Sequence, residues 1–310
     1  MKIVIPDSFD LLESDRQQLE AMGAEIYDDI PDSEQVVIER IADADAIAVG
    51  WVDITQAVIE QSPQLKYIIV AAVGYDQIDL AAANARGIPV INCPTHNSRA
   101  VAEYTIGLML AVTRQIGAAQ NAIAQGKWNP RAHCGLELRG RRLVLLGHGH
   151  IGQQVAQLAK AFGMTVDWTD SRTPAAELDR LIASADILSL HLPLNEQTRQ
   201  LLDARRIGLM QTHAYLINTA RGDIVDQAAL LDALQQGQIA GAALDVFASE
   251  PATGAPPQIE AFLELENAIA TPHIAYNTAE TTDRLGKELI ANLEACLSGE
   301  PINVVNQPRG

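Results

Sequence analysis

The segment Arg142-Leu143-Val144-Leu145-Leu146-Gly147-His148-Gly149-His150-Ile151-Gly152 constrains this chain more than any other. An apolar run enters Gly-x-Gly-x-x-Gly, and a helical pattern through Val155 and Ala156 follows. Strand, glycine turn and helix in that order form the βαβ unit that wraps a dinucleotide. Gly147 permits the sharp turn, Gly149 lets backbone approach a pyrophosphate, and Gly152 lets the helix pack close to the sheet. The start of the helix then presents N–H groups and a positive dipole end to phosphate. A second strand, Thr165-Val166-Asp167-Trp168-Thr169, ends at Asp170, 18 residues past Gly152. A carboxylate at that place accepts hydrogen bonds from the ribose hydroxyls of the adenosine half. It favours NAD, since at roughly 4 Å it would repel a 2′-phosphate by about 1–4 kcal/mol per unit charge. Arg172, two residues on, would instead make NADP possible.

Strand and helix alternate on both sides of this segment. Before it, residues 2–5, 24–27, 46–49 and 67–71 read as strands. Residues 88–91 form a short fifth strand at a sheet edge, because Pro89 lacks the N–H that a central strand needs. Ser8 is placed to cap a helix carrying Leu11, Leu12, Leu19 and Met22. Residues 98–125 predict one long helix with a broad apolar face, ended by Gly126 and Pro130. After the glycine segment come strands at 187–191, 214–219, 241–245 and 268–270, with a Pro- and Gly-rich surface loop over 251–257. A final helix over 278–297 has no strand of its own in the second series and is long enough to return to the first. Such repeats imply an α/β protein with parallel sheets and helices on both faces, whose ligands bind beyond the carboxyl ends of the strands. In the first series those ends carry Gly50-Trp51-Val52-Asp53, Val73-Gly74-Tyr75-Asp76 and Cys93-Pro94-Thr95-His96.

With 310 residues, 48% of them hydrophobic, the chain can build two cores. Its 22 basic and 39 acidic residues leave a formal charge of −17, which argues against nucleic acid or an anionic membrane as a partner. An anionic small substrate therefore needs its own arginine. Cys93, Cys134 and Cys296 are odd in number, widely spaced and without a CxxC pattern. No disulfide framework or metal is expected, and a reducing cytoplasm fits. The opening apolar run, 3–5, is too short for a signal peptide, and no apolar stretch reaches membrane-spanning length.

Three polar groups follow strands of the second series: Arg221, Glu250 and His273. All three are expected along the sheet edge that faces the dinucleotide. Arg221 can grip a carboxylate with two prongs and polarise an adjacent carbonyl. His273 can move a proton near neutral pH. Glu250 beside it would favour the imidazolium form. The set suits hydride transfer between nicotinamide and a 2-hydroxy or 2-keto acid, although an ion pair beside a buried histidine also occurs for structure alone.

The runs Asn218-Thr219-Ala220-Arg221-Gly222-Asp223-Ile224-Val225-Asp226, Ala243-Leu244-Asp245-Val246-Phe247 with Glu250-Pro251, and Thr271-Pro272-His273-Ile274-Ala275 resemble the signature blocks of the D-specific 2-hydroxyacid dehydrogenases. So do Val73-Gly74-Tyr75-Asp76-Gln77-Ile78-Asp79-Leu80, Val101-Ala102-Glu103-Tyr104 and the glycine segment, so the similarity runs along nearly the whole chain. The resemblance implies two doubly wound domains, a Rossmann-type NAD domain over 99–277 inserted into a flavodoxin-like substrate domain made of 1–98 plus 278–310. It implies that Arg221 binds the substrate carboxylate with help from the N–H groups of Val73 and Gly74. His273 is then the acid/base, tuned by Glu250. Cofactor contacts are expected from His150, Ile151, Asp170, Thr219, Ala220 and Asp245, the last holding the nicotinamide amide with its side chain facing the cleft. His191, Pro193 and Thr198 are counted with them, as are Arg172, Arg221 and His273.

Other residues are weighed individually. His148 and His150 present backbone to phosphate rather than binding metal. His191 supports the fold or touches the cofactor, and His96 is a candidate substrate contact. His133 and His213 read as ordinary loop residues. Trp51 is a candidate pocket wall, against plain packing. No Arg or Lys lies in 50–53, which disfavours a phosphorylated substrate, and no regulatory domain is expected after Asn306. Pro272-His273-Ile274-Ala275-Tyr276 and the ending 299–306 are similar to glycerate dehydrogenases, or hydroxypyruvate reductases. Tyr276 is also similar to the aromatic that follows the histidine in D-lactate dehydrogenases, so pyruvate and larger homologues stay open. The expected reaction is reduction of glyoxylate or hydroxypyruvate, with an NAD-responsive binding protein as the non-enzymatic alternative. A two-fold dimer contact is expected on the helix near 103–114.

Overall fold

The computed structural model describes residues 1–248, 250 and 259–306, and it separates into two units, Met1–Asn97 with Asn277–Gly310 and Ser98–Tyr276. The 251–257 loop read from the sequence lies outside the described residues.

The first unit alternates β1 (Ile3–Ile5), α1 (Glu13–Ala21), β2 (Ala24–Ile26), α2 (Glu34–Ile41), β3 (Ala46–Val49), α3 (Gln56–Glu60), β4 (Tyr67–Val70), α4 (Leu80–Ala85) and β5 (Val90–Asn92). Every pairing is parallel and the order is β2-β1-β3-β4-β5, the flavodoxin-like order. β1, β3 and β5 are buried along their whole length, as expected for strands covered on both faces.

The second unit begins with α5 (Ser98–Thr113) and α6 (Ile116–Ala124). The glycine segment then supplies β6 (Arg142–Leu146) and α7 (His150–Ala161), followed by β7 (Thr165–Thr169), α8 (Ala175–Ser184), β8 (Ile187–Leu190), α9 (Ala204–Ile207) and β9 (Tyr215–Asn218). A 3-10 turn (Gly222–Ile224), α10 (Gln227–Gln235), β10 (Gly241–Leu244), α11 (Glu260–Leu263) and β11 (Ala268–Ala270) complete it. These six strands are parallel in the order β11-β10-β9-β8-β6-β7. The direction of winding reverses between β6 and β8, which is where open α/β sheets bind ligands. One face of this sheet packs α5 and α7 through Ile106, Met109, Val155 and Ala159, the other packs α8 and α10 through Leu181, Ile182, Leu230 and Leu234.

α12 (Ala279–Ser298) belongs to the first unit, where Leu285, Leu289, Ile290 and Leu293 pack with Ile3, Ile5, Ile69 and Ile91. Thr278 caps it, its side chain accepting from Thr281 N, and Gly299 ends it in the left-handed region at φ 81. The outer side of β5 is covered by the segment beyond α12: Val305 N donates to Val90 O and Asn92 N to Asn303 O. A strand that begins after Pro89 thus keeps its edge position without an open row of N–H groups.

Two local expectations are corrected. Ser8 caps no helix, since α1 starts at Glu13 after Leu12, while Ser8 N is bonded to Asp29 O. Leu11 and Leu12 therefore lie ahead of the helix. The long helix over 98–125 is broken at Gln115, which takes φ 54. There Leu136 N bonds Thr113 O and the Gln115 side chain bonds Cys134 O, so the loop before β6 takes hydrogen-bonding groups a continuous helix would use. Over 103–114, where a dimer contact is expected, Glu103, Gly107 and Arg114 are exposed. Ile106, Leu108, Met109 and Val112 are buried inside the second unit, and the exposed apolar groups sit beyond the break, at Ile116, Ile123 and Trp128. Among the described residues no helix is long and apolar enough to cross a membrane.

Asn292 of α12 ties the end of β5 to the segment beyond the helix from a fully buried position. Its Nδ2 donates to Asn92 O (2.9 Å) and its Oδ1 accepts from Asn303 Nδ2 (2.9 Å). Asn292→Leu should lower the unfolding free energy by about 1–3 kcal/mol, the cost of leaving such partners unsatisfied, as read by urea unfolding.

Candidate active site

The turn between β6 and α7 is shaped by contact as much as by conformation. Gly147 has φ +98, and a Cβ there would run into the backbone carbonyl of His191. A Cβ on Gly152 would strike Gly147 O, so helix and turn touch directly. Around Gly149, by contrast, a Cβ would meet nothing within 4 Å. Exposed backbone at the open start of α7 fits a pyrophosphate. His150 is exposed there and Ile151 half-buried. His148 does more than present backbone, since its ring stacks on Trp168 of β7 with centroids 4.3 Å apart and planes at 14°. Burial, then Lys160, holds its pKa below the usual histidine value.

Asp170 follows β7. Its Oδ2 accepts from Arg172 Nη2 (2.7 Å) and Nε (3.2 Å), and its Oδ1 from Arg172 N (2.8 Å). The Arg172 guanidinium holds the Asp170 carboxyl below the usual carboxylate range. Both side chains are exposed, at 43% and 88%, so the pair is weak in water and can exchange for a ribose hydroxyl. After β8, His191 Nε2 bonds Ser189 Oγ (2.9 Å), and burial pushes its pKa down to about 3, leaving a neutral ring. Thr198 Oγ1 donates to Pro193 O (2.7 Å), closing the next turn. After β9 the Thr219 hydroxyl bonds that of Thr105 on α5 (3.0 Å), and Ala220 N donates to Asn218 Oδ1 (3.0 Å). Contacts from Thr219 and Ala220 to a cofactor would therefore use other atoms.

The loops after β9, β10 and β11 leave three adjacent parallel strands at the same edge. Asn218, almost fully buried, braces the first loop: Oδ1 takes Ala220 N, and Nδ2 donates to Arg221 O (2.9 Å). Arg221 is half-buried, and its Nη1 donates to Ala220 O (2.9 Å). Gly222 seats this loop on the next one, since a Cβ there would fall on the backbone of Phe247 and Ala248. From that second loop, Glu250 folds back so that Oε1 accepts from Phe247 N, while Oε2 meets His273 Nδ1 at 2.6 Å. The imidazole and carboxylate are both about three-quarters shielded. Nδ1–H donates to the carboxylate, so Nε2 is the ring nitrogen left out of that bond. Tyr276 packs edge-on against the His273 ring, with centroids 5.8 Å apart at 85°.

His273 takes φ 53, a backbone region costing about 1–3 kcal/mol for a residue with a Cβ. Its N–H donates to Asp245 O (2.8 Å). The Asp245 carboxylate, wholly buried, accepts from Thr271 Oγ1 (2.5 Å), Ile274 N (3.1 Å) and Ala275 N (2.8 Å). Burial pushes the Asp245 carboxyl up, and the bonds from Thr271, Ala275 and Ile274 pull it back. The expectation that this side chain faces the cleft is corrected: the carboxylate is enclosed by the turn that carries His273. Tyr104 of α5 bonds Thr271 and extends the network. Sequence reasoning assigned no role to Thr271, Tyr104 or Asn218. Their types and spacing carry no signal, because each acts on a loop distant in the chain.

In the first unit, Val73 and Gly74 are half-buried on the loop after β4, with Val73 O accepting from Asn92 Nδ2 (2.8 Å). Trp51 is 39% exposed on the loop after β3. His96 is corrected as a substrate candidate: it is 4% exposed, with Nδ1 on Cys93 O (2.9 Å) and its backbone N–H on Glu288. His213 lies in a loop, as expected, and its Nε2 bonds Asp186 Oδ1 (2.8 Å). Among the described residues no three His, Cys, Asp or Glu side chains are grouped to hold a metal ion.

Comparison with known proteins agrees with this geometry. Residues 106–275 match the family described as D-isomer specific 2-hydroxyacid dehydrogenase, NAD binding domain. A D-3-phosphoglycerate dehydrogenase of Methanocaldococcus jannaschii is 39% identical over 289 residues, covering 89% of this chain and 54% of the relative. The chain thus spans about half the length of that protein. A glyoxylate reductase of Korarchaeum cryptofilum is 38% identical over 296 residues, covering 90% of this chain and 88% of the reductase. Among solved structures, an acyclic imino acid reductase in complex with NADPH and D-Arg has a TM-score of 0.90 at 32% identity, covering 98% of this chain and 100% of that one. With a family match over more than half its length and a relative of this identity along most of both chains, the protein belongs to the D-isomer-specific 2-hydroxyacid dehydrogenases.

Proposed function

We propose that the chain is an NAD(H)-dependent oxidoreductase that moves a hydride between nicotinamide and a small D-2-hydroxy or 2-keto acid, with reduction of glyoxylate or hydroxypyruvate as its reaction. The observation that carries this is the His273–Glu250 pair at 2.6 Å, held on the sheet edge from which Arg221 also emerges. NADH, when bound, supplies the hydride for the C2 carbon. Arg221 grips the substrate carboxylate and polarises the neighbouring carbonyl. His273 donates its Nε2 proton to the carbonyl oxygen as negative charge develops there, and Glu250 holds the ring and offsets the imidazolium charge before transfer. Val73, Gly74, Trp51 and Tyr276 are the other residues assigned to substrate binding. The edge-on packing of Tyr276 against His273 favours one second reading, a D-lactate-type enzyme acting on pyruvate or larger keto acids.

The turn at 147–152 fits the pyrophosphate, and Asp170 is assigned to the adenosine ribose. NAD is the preferred cofactor because the Asp170 carboxylate can accept from the ribose hydroxyls and would repel a 2′-phosphate. The chain is assigned to the cytoplasm as a homodimer that acts on small molecules rather than on membrane or nucleic acid. The two-fold contact is assigned to α6 with Trp128, where Ile116, Ile123 and Trp128 are 54%, 59% and 83% exposed.

NADH oxidation should be seen with glyoxylate or hydroxypyruvate at a higher kcat/KM than with pyruvate, and D-3-phosphoglycerate should be a poor substrate in the reverse assay. His273→Ala should lower kcat by about 10²–10⁴-fold, and Arg221→Lys should raise the keto-acid KM sharply. Tight NADH binding with no turnover of any 2-keto acid, with or without ammonium, would point to a binding protein instead. In the same assay NADH should give a higher kcat/KM than NADPH, and Asp170→Ala should narrow the gap; a preference for NADPH in the parent would reverse the cofactor assignment. Sedimentation at micromolar concentration should show a dimer, which Ile123→Asp should dissociate without loss of helical signal.

A further inference from the structure

We propose that Asp7 is a positioning residue for substrate recognition: its carboxylate clamps the backbone of residues 50–52 and so sets the pose of Trp51, a role that rests on the dehydrogenase function proposed above. Asp7 follows β1 and has no solvent exposure. Its Oδ2 accepts from Trp51 N (2.5 Å), Gly50 N (3.1 Å) and Val52 N (3.1 Å), and its Oδ1 from Gly50 N (3.1 Å). Three consecutive N–H groups converging on one carboxylate make an anion nest, with the anion supplied by the chain itself. Burial pushes the Asp7 carboxyl up, and the bonds from Trp51, Gly50 and Val52 oppose that rise. A neutral amide could set its oxygen in place of Oδ2, but it would lose the charge that strengthens these bonds and would turn its NH2 toward Gly50 N, which also donates.

A second tether reaches the same loop. Gln77 Nε2 donates to Gly50 O (3.3 Å), Ile54 N donates to Gln77 O and Asp79 N to Ile54 O, with Ile54 and Ile78 in parallel register. The loop bearing Trp51 is thereby joined to the loop bearing Val73 and Gly74. Both leave the carboxyl end of the first unit's sheet. A loop that only had to close a strand–helix connection would be served by backbone bonds or water. Here the anchored stretch ends in a large ring that stays 39% exposed, the arrangement needed when a side chain must be held for a ligand.

The test is Asp7→Asn, near-isosteric, made in the full chain and again in a Trp128→Phe, Trp168→Phe background where Trp51 is the last indole. The keto-acid KM should rise by about tenfold or more while kcat and the NADH Kd stay within about threefold, the split expected when substrate positioning alone is lost. Discrimination between glyoxylate and longer keto acids should shrink, and Trp51 emission should shift to the red with lower anisotropy. Gln77→Ala should give the same split at smaller size, and it decides the question should Asp7→Asn not fold. Unchanged KM and emission would overturn the proposal, as would a parallel fall of kcat, KM performance and NADH affinity. Should the parent turn over no 2-keto acid, the dehydrogenase function fails on that measurement, and an unshifted Trp51 emission in Asp7→Asn would separately overturn the clamp.

Discussion

A carboxylate without solvent access, Asp245, governs the chemistry of this protein from beneath it. The turn after β11 must present His273 in a left-handed backbone that a β-carbon resists, and it must do so a few residues past a three-residue strand. Asp245 makes that possible by accepting three hydrogen bonds from Thr271, Ile274 and Ala275, on both sides of the histidine, while its own carbonyl takes the His273 N–H. Charge-assisted bonds in a dry setting are among the stronger polar contacts a chain can make, and here they meet a local strain of about 1–3 kcal/mol.

The rest of the site depends on the same economy of place. Parallel strands all end at one edge, so the loops after β9, β10 and β11 are neighbours whatever their distance in the chain. Gly222 then lets the Arg221 loop sit directly on the backbone of Phe247 and Ala248, and that second loop sends Glu250 to His273. A guanidinium, a carboxylate and an imidazole come to one sheet edge because two turns touch and a third is tied down.

Much of this was legible in the chain because strand, glycine and helix follow local rules. The apolar run into Gly147, the parallel sheets and the return of the last helix are each set by patterns within a few turns of chain. What was not legible is where distant groups intervene. The helix break at Gln115 arises because Leu136 and Cys134 come to bond it. Ser8 has the chemistry of a cap, yet its N–H bonds Asp29 and the helix begins later. His96 has the chemistry of a ligand contact but lies buried against Cys93 and Glu288. The stack of His148 on Trp168 gives a residue of the glycine turn a side-chain role that no spacing announces.

By itself, the sequence determined the two parallel sheets, the dinucleotide turn and the strand ends from which Arg221, Glu250 and His273 emerge, because these follow from periodicity and from what glycine permits. Only the tertiary structure decided what holds those residues. Asp245 closes on the His273 turn instead of opening to solvent, Arg172 folds onto Asp170, and Asp7 gathers the 50–52 backbone from the end of the neighbouring strand. A carboxylate carries no mark of its partner in the chain. The partner is chosen when folding removes water and leaves each buried charge to the nearest N–H groups.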